Sequence, residues 1–278
     1  MEYRELRPSA PLDRHVRCYW TLRAPADASA PAQRVLPDGC VEVVINLGAP
    51  FERHDSDGRA ERQPRNLLVG PTTRHMSIAA TGDIRLVGIR FEPGGALPFL
   101  ATTPEELRDA APSLDDVALP LDRSFVEQLE ATVFGSEGAI IDRALSGRLA
   151  RARRVGDDRV LACVSAALAA RESMRVDSLV DLTGLGARQL ERRFRETVGF
   201  GPKTLCRLVR FQRVVRAVGA GPDAPWARLA AGTGYADQSH MAREFREFAG
   251  TTLSNYVEEQ HPLSDRFHSV PRIDGPPM

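Results

Sequence analysis

An eight-residue segment occurs twice in this chain, 51 residues apart, and no other feature narrows the possible folds as much. RRFRETVG at 192–199 and REFREFAG at 243–250 agree at Arg192 and Arg243, Phe194 and Phe245, Arg195 and Arg246, Glu196 and Glu247, and Gly199 and Gly250. Five identities in eight positions, among them an aromatic and a closing glycine, mark a duplicated structural unit. The flanking sequence repeats as well. SLVDLTGLGARQLERRF places apolar residues around Leu179 and Val180, a break at Gly184, and Leu190 and Phe194 four apart. WARLAAGTGYADQSHMAREF places Leu229 and Ala230, a break at Gly234, and Met241 and Phe245 four apart. Both copies read as helix, tight turn, helix.

Two helices crossing through a short turn need glycine where φ is positive and apolar anchors on the inner face of the second helix. The outer face of that second helix is then free to enter a DNA major groove, which is about 12 Å wide. On the first copy (about 187–197) that face carries Ala187, Arg188, Glu191, Arg192 and Arg195; on the second (about 237–248) it carries Gln238, Ser239, His240, Ala242, Arg243 and Arg246. Arginine donates a bidentate pair to guanine, glutamine pairs with adenine, and glutamate accepts from cytosine. Glu191 has a second reading, an ion pair with Arg195 one turn on. His240 has only Ser239 as a nearby nucleophile, and the two point in different directions, so DNA contact outweighs general-base chemistry. Phe194 and Phe245 read as core. Between the copies, PKTLCRLVRFQRVVRAV reads as one long helix opened by Pro202, with Lys203 and Arg207 facing phosphates or solvent. A rigid spacer suits two recognition helices that must land in successive major grooves, about 34 Å apart.

Charge supports this reading. The chain is neutral overall, yet residues 151–260 hold 18 basic against 13 acidic side chains while residues 1–150 hold 17 against 22. Within 183–216 nine basic residues face only Glu191 and Glu196. Such a concentration calls for an anionic partner or a solvated face.

A length of 278 residues suits one or two domains. The first hundred residues read as short strands: QRVLPDGCVEVVINLG alternates at Val41, Val43 and Ile45, and NLLVGP and IRLVGIRFEPGG are compact runs ending in turn residues. TPEELRDA, DRSFVEQLEATVF and EGAIIDRALSGRLARAR have helical spacing, and Thr103 with Glu106 forms a capping box beside Pro104. The chain therefore divides into a β-rich domain at 1–150, a helical domain at 157–260 with its boundary near ARRVGDD, and a proline-rich flexible tail at 261–278. In the β-rich part His54, His75, Arg90 and Glu92 are the polar candidates for a pocket. His54 sits in a charged loop, His75 lines a barrel mouth or is a satisfied loop histidine, and His75 and Arg90 are retained as ligand candidates. Cys18, Cys40, Cys163 and Cys206 show no metal or disulfide spacing, so no metal, cofactor or catalytic residue is expected. The charged start has no apolar signal core and no stretch reaches the roughly 20 apolar residues of a membrane span, so a cytoplasmic protein is expected.

The segment from 157 to 260 resembles the DNA-binding domain of the AraC/XylS family of bacterial transcription regulators, through GLGARQLERRFRETVGFGP and LAAGTGYADQSHMAREFREFAG. The resemblance implies a seven-helix domain whose two helix-turn-helix units contact double-stranded promoter DNA, with RNA polymerase as a further partner. Gly186 and Ala236 stand where that family often has a capping serine, Val180 is bulkier than its usual alanine, and LSNY at 253–256 lacks its common proline. YWTLR, VLPDGCVEVVINLG and VGIRFEPGGALPFL resemble a sensing domain found in the same family, implying a cupin-like β-barrel, a small-molecule effector and homodimerisation. The expected whole is an α+β, two-domain, non-enzymatic regulator: a mainly-β barrel with flanking helices, then an all-α domain with two helix-turn-helix motifs joined by a long helix. The alternative is a bifunctional enzyme whose β domain carries small-molecule chemistry while the helical domain tethers it to DNA. That alternative needs a reactive cysteine in a basic or metal cluster, which Cys18 and Cys40 lack.

Overall fold

Alternation along residues 41–46 decides how the amino-terminal half is layered. The computed structural model describes residues 1–27, 31–55, 59–117, 121, 123–170, 173–219 and 225–259. Nine strands occur among them: β1 (Glu2–Leu6), β2 (Val16–Ala24), β3 (Gln33–Val35), β4 (Glu42–Asn46), β5 (Phe51–His54), β6 (Ala60–Arg62), β7 (Asn66–Val69), β8 (Met76–Ala80) and β9 (Ile84–Phe91). They form a five-stranded sheet, order β1-β2-β9-β4-β7, and a four-stranded sheet, order β3-β8-β5-β6, with every pairing antiparallel. Val43 and Ile45 are fully buried on the face of the larger sheet that meets helices α1 (Arg123–Glu130) and α2 (Gly138–Leu149) through Leu129, Ile141 and Leu145. Val44, on the opposite face, joins Trp20, Phe51, Leu86 and Ile78 between the two sheets. Gly88 sits directly beneath the Trp20 indole, where a Cβ would approach a ring atom to 1.9 Å; only glycine lets the tryptophan lie on the sheet.

The mainly-β domain with flanking helices is therefore present, but the sheets do not close into one barrel among the described residues. The smaller sheet is built from strands of three to five residues, and β6 is exposed throughout, so its edges lack the reach to pair with the larger sheet. TPEELRDA also departs from expectation. Its capping-box bonds form, with the Glu106 amide 3.4 Å from Thr103 Oγ1 and the Thr103 hydroxyl 2.9 Å from the Glu106 carboxylate, yet turns occupy the segment instead of an α-helix. Asp109, at φ 57°, ends the segment, its carboxylate accepting from the amide (2.6 Å) and hydroxyl (2.8 Å) of Thr73. A tertiary tie overrides the local helical preference.

The helical domain has seven helices among the described residues: α3 (Asp158–Ala169), α4 (Val176–Thr183), α5 (Ala187–Val198), α6 (Pro202–Gly219), α7 (Trp226–Thr233), α8 (Gln238–Ala249) and α9 (Leu253–Glu258). One core joins them, with Leu190, Phe194, Phe211, Met241, Phe245 and Phe248 each at most 1% exposed. Burying such side chains contributes about 1.5 to 3 kcal/mol apiece. Long α6 runs through this core and contacts α3, α4, α5, α7 and α8, as expected of a spacer. The expected tail at 261–278 lies outside the described residues.

Candidate nucleic-acid interface

Both duplicated segments form a helix-turn-helix, and small differences between the turns arise from single residues. In the first, Thr183 Oγ1 donates to the Leu179 carbonyl at 3.0 Å, Gly184 takes φ +64°, and α5 starts after Gly186, which offers no capping side chain. In the second, Thr233 Oγ1 donates to the Leu229 carbonyl at 2.7 Å, Gly234 takes φ +87°, and α8 starts after Asp237. The second turn is one residue longer, so Ala236 is not the capping position. Asp237 is, and its carboxylate accepts from the His240 amide at 2.7 Å. Gly199 and Gly250 close the recognition helices in the left-handed conformation, at φ +99° and +67°.

The sequence-predicted side chains divide into free and engaged. Arg188, Arg192, Gln238, Ser239, Arg243 and Arg246 are exposed on the outer faces of α5 and α8, and Lys203 is exposed at the first turn of α6. Glu191 is half-buried, accepts from Arg195 Nε at 3.0 Å, and lies against Gly201 at the start of α6. Arg195 also lies 3.7 Å from Glu105 of the amino-terminal half. His240 stands edge-on to Tyr235, ring centres 5.2 Å apart, and 4.0 Å from Glu244. Arg207, expected at phosphate or solvent, is held inside: its Nε is 2.7 Å from Glu244 and its other arm 2.5 Å from Glu247. Burial works against its charge, but the bonds to Glu247 and Glu244 outweigh that, so its pKa is raised.

Glu244 is the residue that sequence reasoning missed. At 4% exposure it receives hydrogen bonds from Arg207, from Arg210 at 3.2 Å, and from the Tyr235 hydroxyl at 2.8 Å. Burial and Glu244 together push the Tyr235 pKa up. One signal was available: position 244 is where the copies differ in sign, its counterpart being Arg193. That arginine pairs with Asp157, so the shared position anchors each recognition helix by an opposite pair.

His75 and Arg90 are not brought together. His75 lies at the junction between the halves. Its amide donates to the Phe248 carbonyl at 2.9 Å, and its ring rests on Gly250. In the same loop Pro71 rests on Gly199, so one segment, 71–75, touches the closing glycine of both recognition helices. Nearby, Gln212 Nε2 donates to the Pro37 carbonyl at 2.6 Å, and Leu36 enters the helical core. Arg90 is buried, 3.1 Å from Glu42 and 3.9 Å from Asp38. An apolar cavity between the sheets is walled by Trp20, Val44, Phe51, Leu67, Met76 and Ile78, with Glu42, Asn46, Gln63 and Arg65 as polar groups. Arg90 is bonded to Glu42 of this lining, and burial pushes the Glu42 carboxyl to higher pKa. Burial also pushes the Cys18 thiol up to about 12 and the Cys40 thiol well above its ordinary value.

A two-sheet domain joined to a helical domain with two helix-turn-helix units defines a class, the two-domain helix-turn-helix proteins. Residues 179–259 match the family model described as a helix-turn-helix domain, and residues 4–113 match a domain of unknown function, DUF6597. The carboxyl-terminal part of the chain is thus similar to a helix-turn-helix domain. No curated protein matches the chain. Among solved structures, ToxT from Vibrio cholerae is similar in fold across both halves: TM-score 0.51, 10% identity, 86% of this chain and 98% of ToxT covered. The DNA-binding domain of AdpA, solved in complex with a target DNA, matches 37% of this chain over 92% of its own at 22% identity and TM-score 0.34. A probable AraC family transcriptional regulator from Rhodopseudomonas palustris matches 37% over 96% at 23% identity and TM-score 0.33.

Proposed function

We propose that this chain is a sequence-specific, DNA-binding transcription regulator that lays α5 and α8 into successive major grooves of promoter DNA. The observation that carries the reading is the duplicated register: Arg192 and Arg243 occupy the same place on two recognition helices, both exposed, beside buried Phe194 and Phe245. On this reading Arg188, Arg192, Gln238 and Arg243 meet base edges, Lys203 and Arg246 meet phosphates, and Ser239 and His240 line the second groove. Glu191 and Arg195 act as a pair, which orients Arg195 while it remains within reach of the backbone. Residues 1–150 form the effector or dimerisation domain, with the inter-sheet cavity, not His75, as the ligand site, and residues 157–260 form the DNA-binding domain. A cytoplasmic location, a homodimer and contact with RNA polymerase complete the proposal; among the described residues no helix is long and apolar enough to cross a membrane.

The test is selection of bound duplexes from a random pool by the full chain, and then Arg192→Ala and Arg243→Ala on the selected site. A two-part site about one helical turn apart is expected, each substitution costing about 1 to 3 kcal/mol and relaxing preference at one base pair. Binding that survives both substitutions unchanged would overturn the contact assignment.

A further inference from the structure

The boundary segment, RARRVGDDR at 151–159, lies between the two domains and serves neither core. Arg151, Arg153 and Arg154 are exposed, and none makes an ion pair or side-chain hydrogen bond with a described residue. Residues 156 and 157, just downstream, are fixed against the first recognition helix. Asp157 pairs with Arg193 of α5 and caps α3 through the Arg159 amide at 3.0 Å. Gly156 is packed so closely that a Cβ there would lie 3.1 Å from Leu161 and 3.4 Å from Thr197 of α5. Val155, Asp157, Asp158 and Arg159 share one open groove with Arg192, Arg193 and Glu196. Glu106 is exposed, its carboxyl held below its ordinary pKa by hydrogen bonds from Thr102 and Thr103, with Arg154 adding the smallest electrostatic pull. Glu106 adjoins Glu105, which reaches Arg195 of α5. The three arginines thus stand immediately upstream of residues fixed to the flank of α5 whose outer face carries Arg192.

Resting on the DNA-binding reading, we propose that Arg151, Arg153 and Arg154 form a third anchorage that grips the phosphate backbone beside the groove entered by α5. Of the acidic groups nearby, Glu106 feels Arg154 and Glu196 lines the groove, and the rest are offset. Asp157 is neutralised by Arg193 and by Arg159 at 3.6 Å, and Glu105 is matched by Arg195. Asp158 sits in the first turn of α3, where the positive end of the helix dipole offsets it. The segment carries no aromatic or amide side chain to read bases, and its arginines succeed one another along the chain without a helix to fix their forks. Charge without shape suits phosphates, not base edges.

The experiment replaces all three arginines by glutamine in the full chain and measures binding to the selected duplex, and to an unrelated one, over a salt series. Each lost phosphate contact lowers the slope of log affinity against log salt by about 0.9. With three lost, the slope falls by about 2 to 3, and the wild-type advantage shrinks roughly 40-fold as salt rises fourfold. Both duplexes are expected to suffer alike, with protection from cleavage shortened on the side of the first half-site; the triple lysine variant is expected to keep the wild-type slope. Equal slopes for wild type and the glutamine variant would overturn the proposal, as would a loss confined to one sequence. Arg192→Ala with Arg243→Ala runs alongside. If wild type selects no duplex, the DNA-binding reading itself falls and this anchorage with it; if wild type binds and only the double alanine variant weakens, the anchorage alone falls.

Discussion

Glu244, 4% exposed, is the buried charge by which the second recognition helix is held to the spacer helix. Its partners Arg207 and Arg210 stand more than thirty residues upstream on α6, and only the packing of α8 against α6 turns three scattered charges into a buried network. The network has measurable consequences. Glu244→Ala leaves the half-buried Arg210 guanidinium and the Tyr235 hydroxyl without this acceptor and Arg207 with Glu247 alone, so a loss of about 3 kcal/mol is expected in denaturant unfolding of the full chain. Asp237→Ala removes only an exposed cap from the His240 amide and is expected to cost about 1 kcal/mol. A cost at Glu244 no larger than that at Asp237 would show that the network is solvated and contributes little.

At the scale of elements, the recognition helices and their spacer were legible to within a residue because helical periodicity, turn glycines and closing glycines all agree. The second turn was less so, since its extra residue shifts the cap to Asp237. Strands β4, β7 and β9 were legible from alternation, whereas the split into two sheets and the turns at 104–109 depend on contacts between distant segments. The junction loop 71–75 belongs to that second group, as nothing local in GPTTRH points to Gly199 or Gly250. Gly250→Ala there meets two obstacles: φ +67° disfavours a Cβ, and that Cβ would lie 1.9 Å from the His75 ring. His75→Ala removes the second obstacle only. The two substitutions together are therefore expected to cost less than the sum of their separate costs, a coupling of about 1 kcal/mol or more in a double-mutant cycle. Additive costs would mean that the loop does not rest on the helix end. The same contact makes a pH dependence. Burial, then Arg34, lowers the His75 pKa from 6.5, so the folded chain disfavours the imidazolium while the unfolded chain accepts it. Stability from this group is complete above about pH 6.5 and declines as pH falls below it. His15 shifts the same way, through burial and then Arg14, so comparing wild type with His75→Ala isolates the junction's share of the acid slope.

For the whole molecule, the balance of charge matters more than its total. A chain with no net charge exerts little long-range pull on DNA, yet its helical domain is basic and its β domain acidic, so attraction depends on which side faces the duplex. Affinity then comes from contacts made once the basic face is presented, and these fall into two kinds with different signatures. Lys203, exposed at the opening of α6 between the recognition helices, is a point charge with no fixed fork, suited to a phosphate. Arg192, on the outer face of α5, has the geometry for a base edge. Lys203→Ala is therefore expected to weaken binding to matched and mismatched duplexes alike and to reduce the salt slope by about 1. Arg192→Ala is expected to weaken matched duplex by about 1 to 3 kcal/mol while leaving mismatched binding nearly unchanged. Titrating both variants against both duplexes at several salt concentrations separates the roles. If Lys203→Ala discriminated between duplexes and Arg192→Ala did not, the docking of the two helices would have to be rotated about α6, with the spacer's first turn, not the face of α5, in the groove.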